Sequence, residues 1–442
     1  MHNIYYSIAL LVLYGDLIKR ILPASMSLLV LYALATVILL KIYVRKSRSK
    51  TLASIKSKAV FISTLILIAL YMLQLMTSFF APFMESLSHA MYMSIPLLYI
   101  VVVQKFCPQF DLAALGKAFL ILMVPVNIIG FVQYFINPDF FISSVYSGDL
   151  GGVILRNFFD GGYFSRYPSL FTSADRYSAM GLMQLYFTIV VFKASYSVSR
   201  MGKLWLVFNL ISAFSALFIS GARSRILIAS LAGVFMVFTF VLGYIFSPQY
   251  RRARKAVHKL IPLLAGTIII FITVFWNMPM QDKEQDQFFP VVELLLKSFE
   301  RGDISQRVDE ASDLSLVSDE TTFFGQGLGS IGNGKPGEFG IKSMWIESGF
   351  FWGVLMLMAF TGMIAAITIK AWKSFVVMDA LSVIIYVIPI LLLMFGLLAG
   401  LTSTFELSTG LLLGCSIAVI TRSSANITGG YQLPLSNRKK GF

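Results

Sequence analysis

Arginine is the side chain whose distribution in this sequence points most directly to chemistry. Several arginines stand in short polar segments next to long apolar stretches. The guanidinium group is planar, permanently charged and able to bind phosphate through two parallel N–H groups. A group of arginines beside a membrane would therefore suit a lipid-linked diphosphate. The arginines concerned are Arg156, Arg166, Arg176, Arg223, Arg225, Arg301 and Arg307.

Two of these arginines have a distinctive local sequence. Arg223 lies in Ser-Gly-Ala-Arg-Ser-Arg, residues 220–225, a tight link between two long apolar segments. Charges so close to hydrocarbon are costly and normally face a cavity or a partner. Arg166 stands in Ser-Arg-Tyr-Pro, residues 165–168. We expect Arg166 and Arg223 to be functional, whereas any of the others can equally snorkel to the interface or pair with a carboxylate.

A glycine run and a glutamate stand further along the chain. Gly325, Gly327 and Gly329 alternate with other residues, and Glu347 begins Glu-Ser-Gly-Phe-Phe-Trp-Gly, residues 347–353. The run lacks the strand and helix that flank a dinucleotide fingerprint. We expect instead a backbone site that binds an oxyanion or allows close approach of a polar chain, with Gly327 as a substrate ligand. Asp309, Glu310 and Glu347 are candidate proton acceptors, and Glu347 can equally complement the dipole of a helix that begins near it.

The composition indicates where these residues work. Of the 442 residues, 57% are hydrophobic and 13% are charged, against about 45–50% and about 25% in soluble proteins. A membrane-spanning helix needs about 20 apolar residues, and the chain has many such stretches. Two cysteines and three scattered histidines predict neither a disulfide framework nor a metal site, and no cofactor is expected.

The predicted fold class is an all-α polytopic membrane protein with about twelve transmembrane helices, in which residues 1–442 form a single membrane domain. Two long segments between spans, 137–175 and 277–345, are predicted to be large loops that contain short helices, one of them over residues 290–300. The predicted spans are residues 4–21, 24–43, 59–80, 83–104, 112–136, 176–193, 203–220, 225–246, 260–276, 346–369, 379–400 and 405–421.

The basic residues predict the orientation. If both termini are cytoplasmic, the inner loops contain most of the lysines and arginines, as cytoplasmic loops normally do. Both long loops then lie outside. The net charge of +14 is therefore read as a topology signal, and no nucleic-acid partner is expected.

At this point the sequence resembles a known family, the O-antigen polymerase and O-antigen ligase superfamily of bacterial surface-polysaccharide assembly. Its members are polytopic and have two large periplasmic loops with ordered motifs. Arg166 matches the motif after the first loop, and Arg223 matches a Ser-x-x-Arg-Ser-like link. Arg307 matches an arginine of the second loop. The final motif, Gly-x-Gly followed by Glu-x-Gly and a further glycine, resembles Gly325, Gly327, Glu347, Gly349 and Gly353, although Gly353 stands one residue later than in the family's Glu-x-Gly-x-x-Gly.

The resemblance implies a glycosyltransferase of the bacterial inner membrane that works without a metal. It would polymerise repeat units carried on undecaprenyl diphosphate at the periplasmic face. Its partners would be the lipid-linked donor and acceptor and membrane lipid, with a chain-length regulator and a flippase as further candidate partners. The candidate catalytic residues are Arg166, Arg223, Arg307 and Glu347; the candidate diphosphate ligands are Arg156, Arg176, Arg225, Arg301 and Gly327.

Two alternatives remain open. The ligase branch, which transfers glycan to lipid A-core, uses a histidine in the second loop, whereas residues 277–345 contain none. Because His89 and His258 stand elsewhere in the sequence, we expect activity that depends on no histidine. A flippase or transporter would also have about twelve spans, but it would normally show broken helices and short loops on both sides.

Overall fold

The computed structural model describes residues 2–21, 24–47, 58–78, 82–107, 109–137, 140, 154–158, 162–171, 173–194, 200–220, 223–246, 323, 325–328, 330, 340–376, 380–399 and 406–422. This part of the chain forms eleven helices and one antiparallel hairpin. The helices are α1 (His2–Ile21), α2 (Ala24–Ser47), α3 (Lys58–Thr77), α4 (Phe83–Phe106), α5 (Leu112–Phe135), α6 (Ala174–Ala194), α7 (Arg200–Ser220), α8 (Arg223–Phe246), α9 (Gly340–Val376), α10 (Ala380–Ala399) and α11 (Leu407–Arg422). The hairpin strands are β1 (Ile154–Phe158) and β2 (Gly162–Arg166).

The described helices are those of a membrane protein. Six of them, α3, α4, α5, α6, α7 and α9, are long and apolar enough to cross a bilayer. The outer face of α3 exposes Ile62, Leu65, Ile66 and Leu73. A continuous apolar row of this kind is unusual in water but normal against lipid. The prediction of a helical membrane protein is confirmed at this level.

The centre of the bundle is formed by α4, α6 and α11. Helix α11 packs against α4, α1 and α10 and also touches α5 and α6. In the most apolar window of α6, 78% of residues are buried, against 33% in α3 and in α9. Helices α3 and α9 therefore form the lipid-facing periphery, and residues on α4 and α6 are the ones enclosed by protein.

A chain of amide side chains joins α5, α6 and α7 inside the bundle. Tyr177 Oη donates to Asn127 Oδ1 (3.3 Å), and Asn127 Nδ2 donates to Gln184 Oε1 (3.1 Å). Gln184 Nε2 in turn donates to Asn209 Oδ1 (3.1 Å). Unpaired amides are costly in an apolar interior, so these contacts fix how the three helices pack.

One end of the bundle is marked by Tyr5, Asp111 and Arg422. Asp111 Oδ1 caps α5 by accepting from the N–H groups of Ala113 (2.9 Å) and Ala114 (3.2 Å). Tyr5 Oη accepts from the Asp111 N–H (2.9 Å). The guanidinium of Arg422 donates to the Cys107 and Phe110 carbonyls. The start of α1, the start of α5 and the end of α11 therefore meet at this end of the bundle.

The two long segments join the helices at the other end, which we call the loop end. After β2, Ser169 binds the end of α5: its N–H donates to Gln133 Oε1 (2.7 Å), and Gln133 Nε2 donates to its carbonyl (3.1 Å). The Tyr167 N–H donates to the carbonyl of Ile219 at the end of α7 (3.3 Å). The hairpin is thereby attached directly beside the link between α7 and α8.

Eleven of the twelve predicted spans coincide with described helices, and the twelfth, 260–276, lies outside the described residues. The number of membrane spans therefore remains a prediction. Helix α9 begins at Gly340, inside the segment 277–345 that was expected to be a loop. The predicted short helix over 290–300 also lies outside the described residues.

The prediction of short helices in segment 137–175 is wrong where this segment is described, because β1 and β2 form a hairpin there. Their sequences, Ile-Leu-Arg-Asn-Phe and Gly-Tyr-Phe-Ser-Arg, contain the isoleucine and aromatic residues that favour strands. The intervening Asp160-Gly161 is a hairpin signal that the sequence argument overlooked.

Candidate functional site

Helix α9 is broken close to the loop end. Gly349 has φ 68° and ψ −179°, a conformation essentially confined to glycine. The break interrupts the hydrogen bonds that the Ile346 and Glu347 carbonyls would make within the helix, and buried carbonyls need other donors. The Gln326 N–H donates to the Ile346 carbonyl (2.9 Å) and the Gly327 N–H to the Glu347 carbonyl (3.0 Å). The glycine segment, residues 325–328, therefore closes the gap in α9.

This contact requires glycine at position 325. Its φ is +81°, and a Cβ there would clash with the backbone of Glu347, Ser348 and Gly349. The close approach predicted for the glycine run is thus present. It corrects the expectation for Gly327, because the Gly327 N–H faces α9 and already serves a carbonyl. Gly327 is a structural contact here, not an oxyanion ligand.

Helix α3 supports the same junction from the other side. Gln74 Nε2 donates to the Glu347 carbonyl (3.1 Å), and its Oε1 accepts from the Ser348 hydroxyl (3.0 Å). Two serines fix Leu328: the Ser86 hydroxyl donates to its carbonyl (2.9 Å), and Ser78 Oγ accepts from its N–H (3.2 Å). Glu347 is consequently held at a defined position in the backbone.

The carboxylate of Glu347 faces a histidine that is distant in sequence. His89 Nδ1 lies 3.3 Å from Glu347 Oε2, and the two side chains are only 3% and 2% exposed. The Tyr71 ring lies against the imidazole, with centroids 6.1 Å apart. Histidine and glutamate exchange protons readily, and ionisable pairs inside a membrane protein are normally functional. The pair is therefore a candidate proton-transfer site.

The pairing of His89 corrects the sequence argument. That argument set His89 aside because it stands far from residues 277–345. A signal was nevertheless present, since His89 falls inside the predicted span 83–104, where an ionisable residue is itself a functional hypothesis. The other proposed role of Glu347, as a residue near a helix start, stays a prediction, since the second helical part of α9 follows the break at Gly349.

A second buried cluster lies at the same end and centres on Arg176. Its guanidinium binds both oxygens of Asp16, at 2.6 and 2.7 Å, and also binds Glu406. Asp16 comes from α1, Arg176 from the start of α6 and Glu406 from the position before α11, and their side chains are 10%, 16% and 12% exposed, respectively. The two carboxylates bind both terminal nitrogens of the guanidinium and compensate its charge. The geometry therefore favours the paired role, which the sequence argument left open, over that of a diphosphate ligand.

Arg225 lies beside this cluster. Its side chain is buried, and it interacts electrostatically with Asp175 and Glu406. Helix α4 connects the two clusters, because Tyr92 interacts with Glu406 and Arg176 and stands three residues after His89. Residues at this spacing share one face of a helix, so α4 presents His89 and Tyr92 on the same side.

The remaining predicted arginines stand in the hairpin, at the start of α8, or outside the described residues. Arg156 and Arg166 stand in β1 and β2, where Arg156 pairs with Phe164 and Arg166 with Ile154. Arg223 is the first residue of α8. The hydrogen bond from Tyr167 to Ile219 brings the backbone next to Arg166 close to the link that contains Arg223. Arg301 and Arg307 lie outside the described residues.

Within the described ranges, no group of three or more His, Cys, Asp or Glu residues is arranged to hold a metal ion. Cys107 and Cys415 are buried free thiols. The polar chemistry that the described residues offer is that of arginine, carboxylate and imidazole.

Fold and site together define a helical membrane protein with two clusters of buried ionisable residues at one end of its bundle. The chain matches no known protein-family model, and comparison with curated proteins gives no significant match. Its function must therefore be argued from the site.

Proposed function

We propose that this protein is a glycosyltransferase of the bacterial inner membrane that polymerises repeat units carried on undecaprenyl diphosphate. The observation that supports this most strongly is the meeting of distant motifs at one end of the bundle. The segment after Arg166 binds the end of α7 next to Arg223, and the glycine segment closes α9 beside Glu347. A reaction at one membrane face needs this convergence.

The proposed reaction has two requirements. A diphosphate leaving group must be neutralised, and a hydroxyl of the acceptor sugar must lose its proton. We assign the first to Arg166, Arg223 and Arg307, with Arg156, Arg225 and Arg301 as further contacts, because guanidinium binds phosphate bidentately. We assign the second to Glu347. These groups supply both needs without a metal ion.

The length pattern of the surface glycan in a strain without this gene tests the function. A polymerase null leaves a single repeat unit attached to its anchor, and we expect this pattern. A ligase null leaves no unit attached, and a flippase null traps the unit on the cytoplasmic side. Either of these last two patterns would contradict the proposal.

Chelation tests the metal-independent mechanism. Purified protein supplied with lipid-linked repeat units should elongate them at an unchanged rate in the presence of EDTA, because arginines carry the charge neutralisation. Elongation that stops with EDTA and returns with Mg²⁺ or Mn²⁺ would contradict this mechanism while leaving the polymerase assignment intact.

A carrier for lipid-linked oligosaccharide is the second candidate, and the break in α9 favours it. Carriers use broken helices at their binding sites, typically near the middle of the membrane. Here the break at Gly349 lies close to the start of α9 at Gly340, next to the long segment that precedes this helix. We therefore place the carrier second.

A further inference from the structure

We propose that His89 is the positioning residue for Glu347 and orients this carboxylate to accept the proton of the acceptor hydroxyl. This inference rests on the proposed function. It adds a residue from α4 to a reaction for which the sequence pattern indicated no histidine.

The geometry of the pair supports this role. His89 Nδ1 approaches Glu347 Oε2 at 3.3 Å, but the two atoms are not aligned as a hydrogen bond, and Nδ1 has no other hydrogen-bond partner within the described part of the chain. Catalytic contacts are often long and poorly aligned before substrate binds and become shorter afterwards. A purely structural pair would be expected to have aligned already.

The surroundings make the pair specific. The Glu347 backbone is fixed by Gly327 and Gln74, so the carboxylate can adjust only through its side-chain torsions. Within the described residues, Tyr71 of α3 is a further titratable group that faces the pair. A carboxylate that is 2% exposed is stabilised in its charged form by a nearby donor, and the imidazole stands at that distance. His89 thus controls where the charge of Glu347 points.

The step can be written with all atoms balanced. The acceptor oxygen bonds to the anomeric carbon of the donor sugar, and the bond from that carbon to the diphosphate oxygen breaks. Its electron pair leaves with the diphosphate, and the hydroxyl proton passes to Oε1 of Glu347. The His89 Nδ1–H stays on Oε2 throughout. The proton then leaves to water when the product departs.

Access to the pair follows from the same contacts. Both side chains are closed to solvent, so the acceptor can reach Glu347 only when the glycine segment separates from α9. Two backbone hydrogen bonds, from Gln326 and Gly327, hold that segment to α9. Ser78 and Ser86 also hold Leu328 of this segment, so the segment separates only when these contacts break as well.

The test compares five variants of the full-length purified protein, with a lipid-linked repeat unit as substrate. Glu347→Gln should lower the elongation rate by about 10²–10⁴-fold, the usual effect of losing a positioned base. His89→Leu should lower it at least about tenfold. His89→Asn should retain most of the rate, because its amide N–H replaces Nδ1–H. Tyr99→Phe, which removes an α4 hydrogen bond to the Ala35 carbonyl, is the matched control.

The fifth variant, combining His89→Leu with Glu347→Gln, separates positioning from structure. If His89 acts through Glu347, the double variant should be no slower than Glu347→Gln alone. The acid limb of the pH–rate profile should also move to higher pH in His89→Leu and stay in place in Tyr99→Phe. If the rate losses of the two single variants multiply in the double variant and the pH–rate profile of His89→Leu does not move, the inference is wrong, although the protein would still be a polymerase. A wild-type protein that elongates nothing would overturn the proposed function itself.

Discussion

Arg176 shows why an arginine cannot be assigned to phosphate from sequence alone. A guanidinium suits a diphosphate, but that of Arg176 binds Asp16 and Glu406. Asp16 stands 160 positions before Arg176 in the sequence, and Glu406 stands far after it. With two carboxylates around one arginine, the cluster already has more negative than positive charge. Its best-supported role is to hold α1, α6 and the start of α11 together.

The first prediction concerns this cluster. Arg176→Leu should destabilise the protein by about 3–5 kcal/mol, because it removes the guanidinium that binds two largely buried carboxylates. The triple variant, which adds Asp16→Asn and Glu406→Gln, should recover much of that loss. Thermal unfolding in detergent measures both. A triple variant as unstable as Arg176→Leu would show that the charges are not the cause.

The second prediction concerns the arginines that we assign to the diphosphate. Arg166→Ala and Arg223→Ala should each reduce polymer at least about tenfold, since a hydrogen bond to a charged group contributes about 1.5–3 kcal/mol. Lysine at either position should restore little, because one ammonium cannot make a bidentate contact. Arg252→Ala, in a predicted cytoplasmic loop, is the control. Full-length polymer in both alanine variants at normal protein levels would refute the assignment.

At the scale of elements, the break in α9 is the feature on which the site depends. An unbroken helix would satisfy its own carbonyls and leave the glycine segment nothing to bind. Because Gly349 interrupts it, the carbonyls of Ile346 and Glu347 accept from Gln326 and Gly327 instead. The break thereby ties the end of segment 277–345 to the helix that carries Glu347.

The third prediction compares two glycines. Gly325→Ala should detach the glycine segment, because the position has φ +81° and no room for a Cβ. We expect faster amide hydrogen exchange at Gln326 and Gly327 and a loss of elongation. Gly233→Ala is matched to it, since a Cβ there meets nothing within 4 Å, and it should be neutral or stabilising by about 0.5–1 kcal/mol. Equal effects of the two substitutions would exclude a local cause.

The site was only partly predictable from sequence. Arg166, Arg223, Glu347 and the close approach at Gly325 follow from local patterns, because special spacing and glycine are visible along the chain. The partners His89 and Glu406 were not foreseen, because pairing across helices depends on which faces meet. No periodicity within a single span contains that information.

At the scale of the molecule, the bundle has two chemically different ends. The described parts of both long segments join at the loop end, together with the buried clusters, while Asp111 and Arg422 mark the opposite one. Apolar spans of about the right length predicted nearly all of the described helices. The hairpin was not predicted, because a criterion based on long apolar runs does not detect strands of five residues.

The fourth prediction is the orientation of these ends. In a protein with Cys107 and Cys415 replaced by alanine, single cysteines at Ser144 and Gln285 should react with an impermeant maleimide in intact cells. A cysteine at Lys50 should react only after the membrane is opened, because basic loops are retained in the cytoplasm. The reverse pattern would invert the assignment and place the loop end inside.

The junction at α9 also has a consequence for how this sequence tolerates change. The glycine segment is held to α9 by backbone N–H groups, and its close approach depends on the absence of a side chain at Gly325. In a saturation mutagenesis experiment, position 325 should therefore accept almost no replacement. Position 326, whose N–H donates to the Ile346 carbonyl, should not accept proline, the residue that has no N–H to donate.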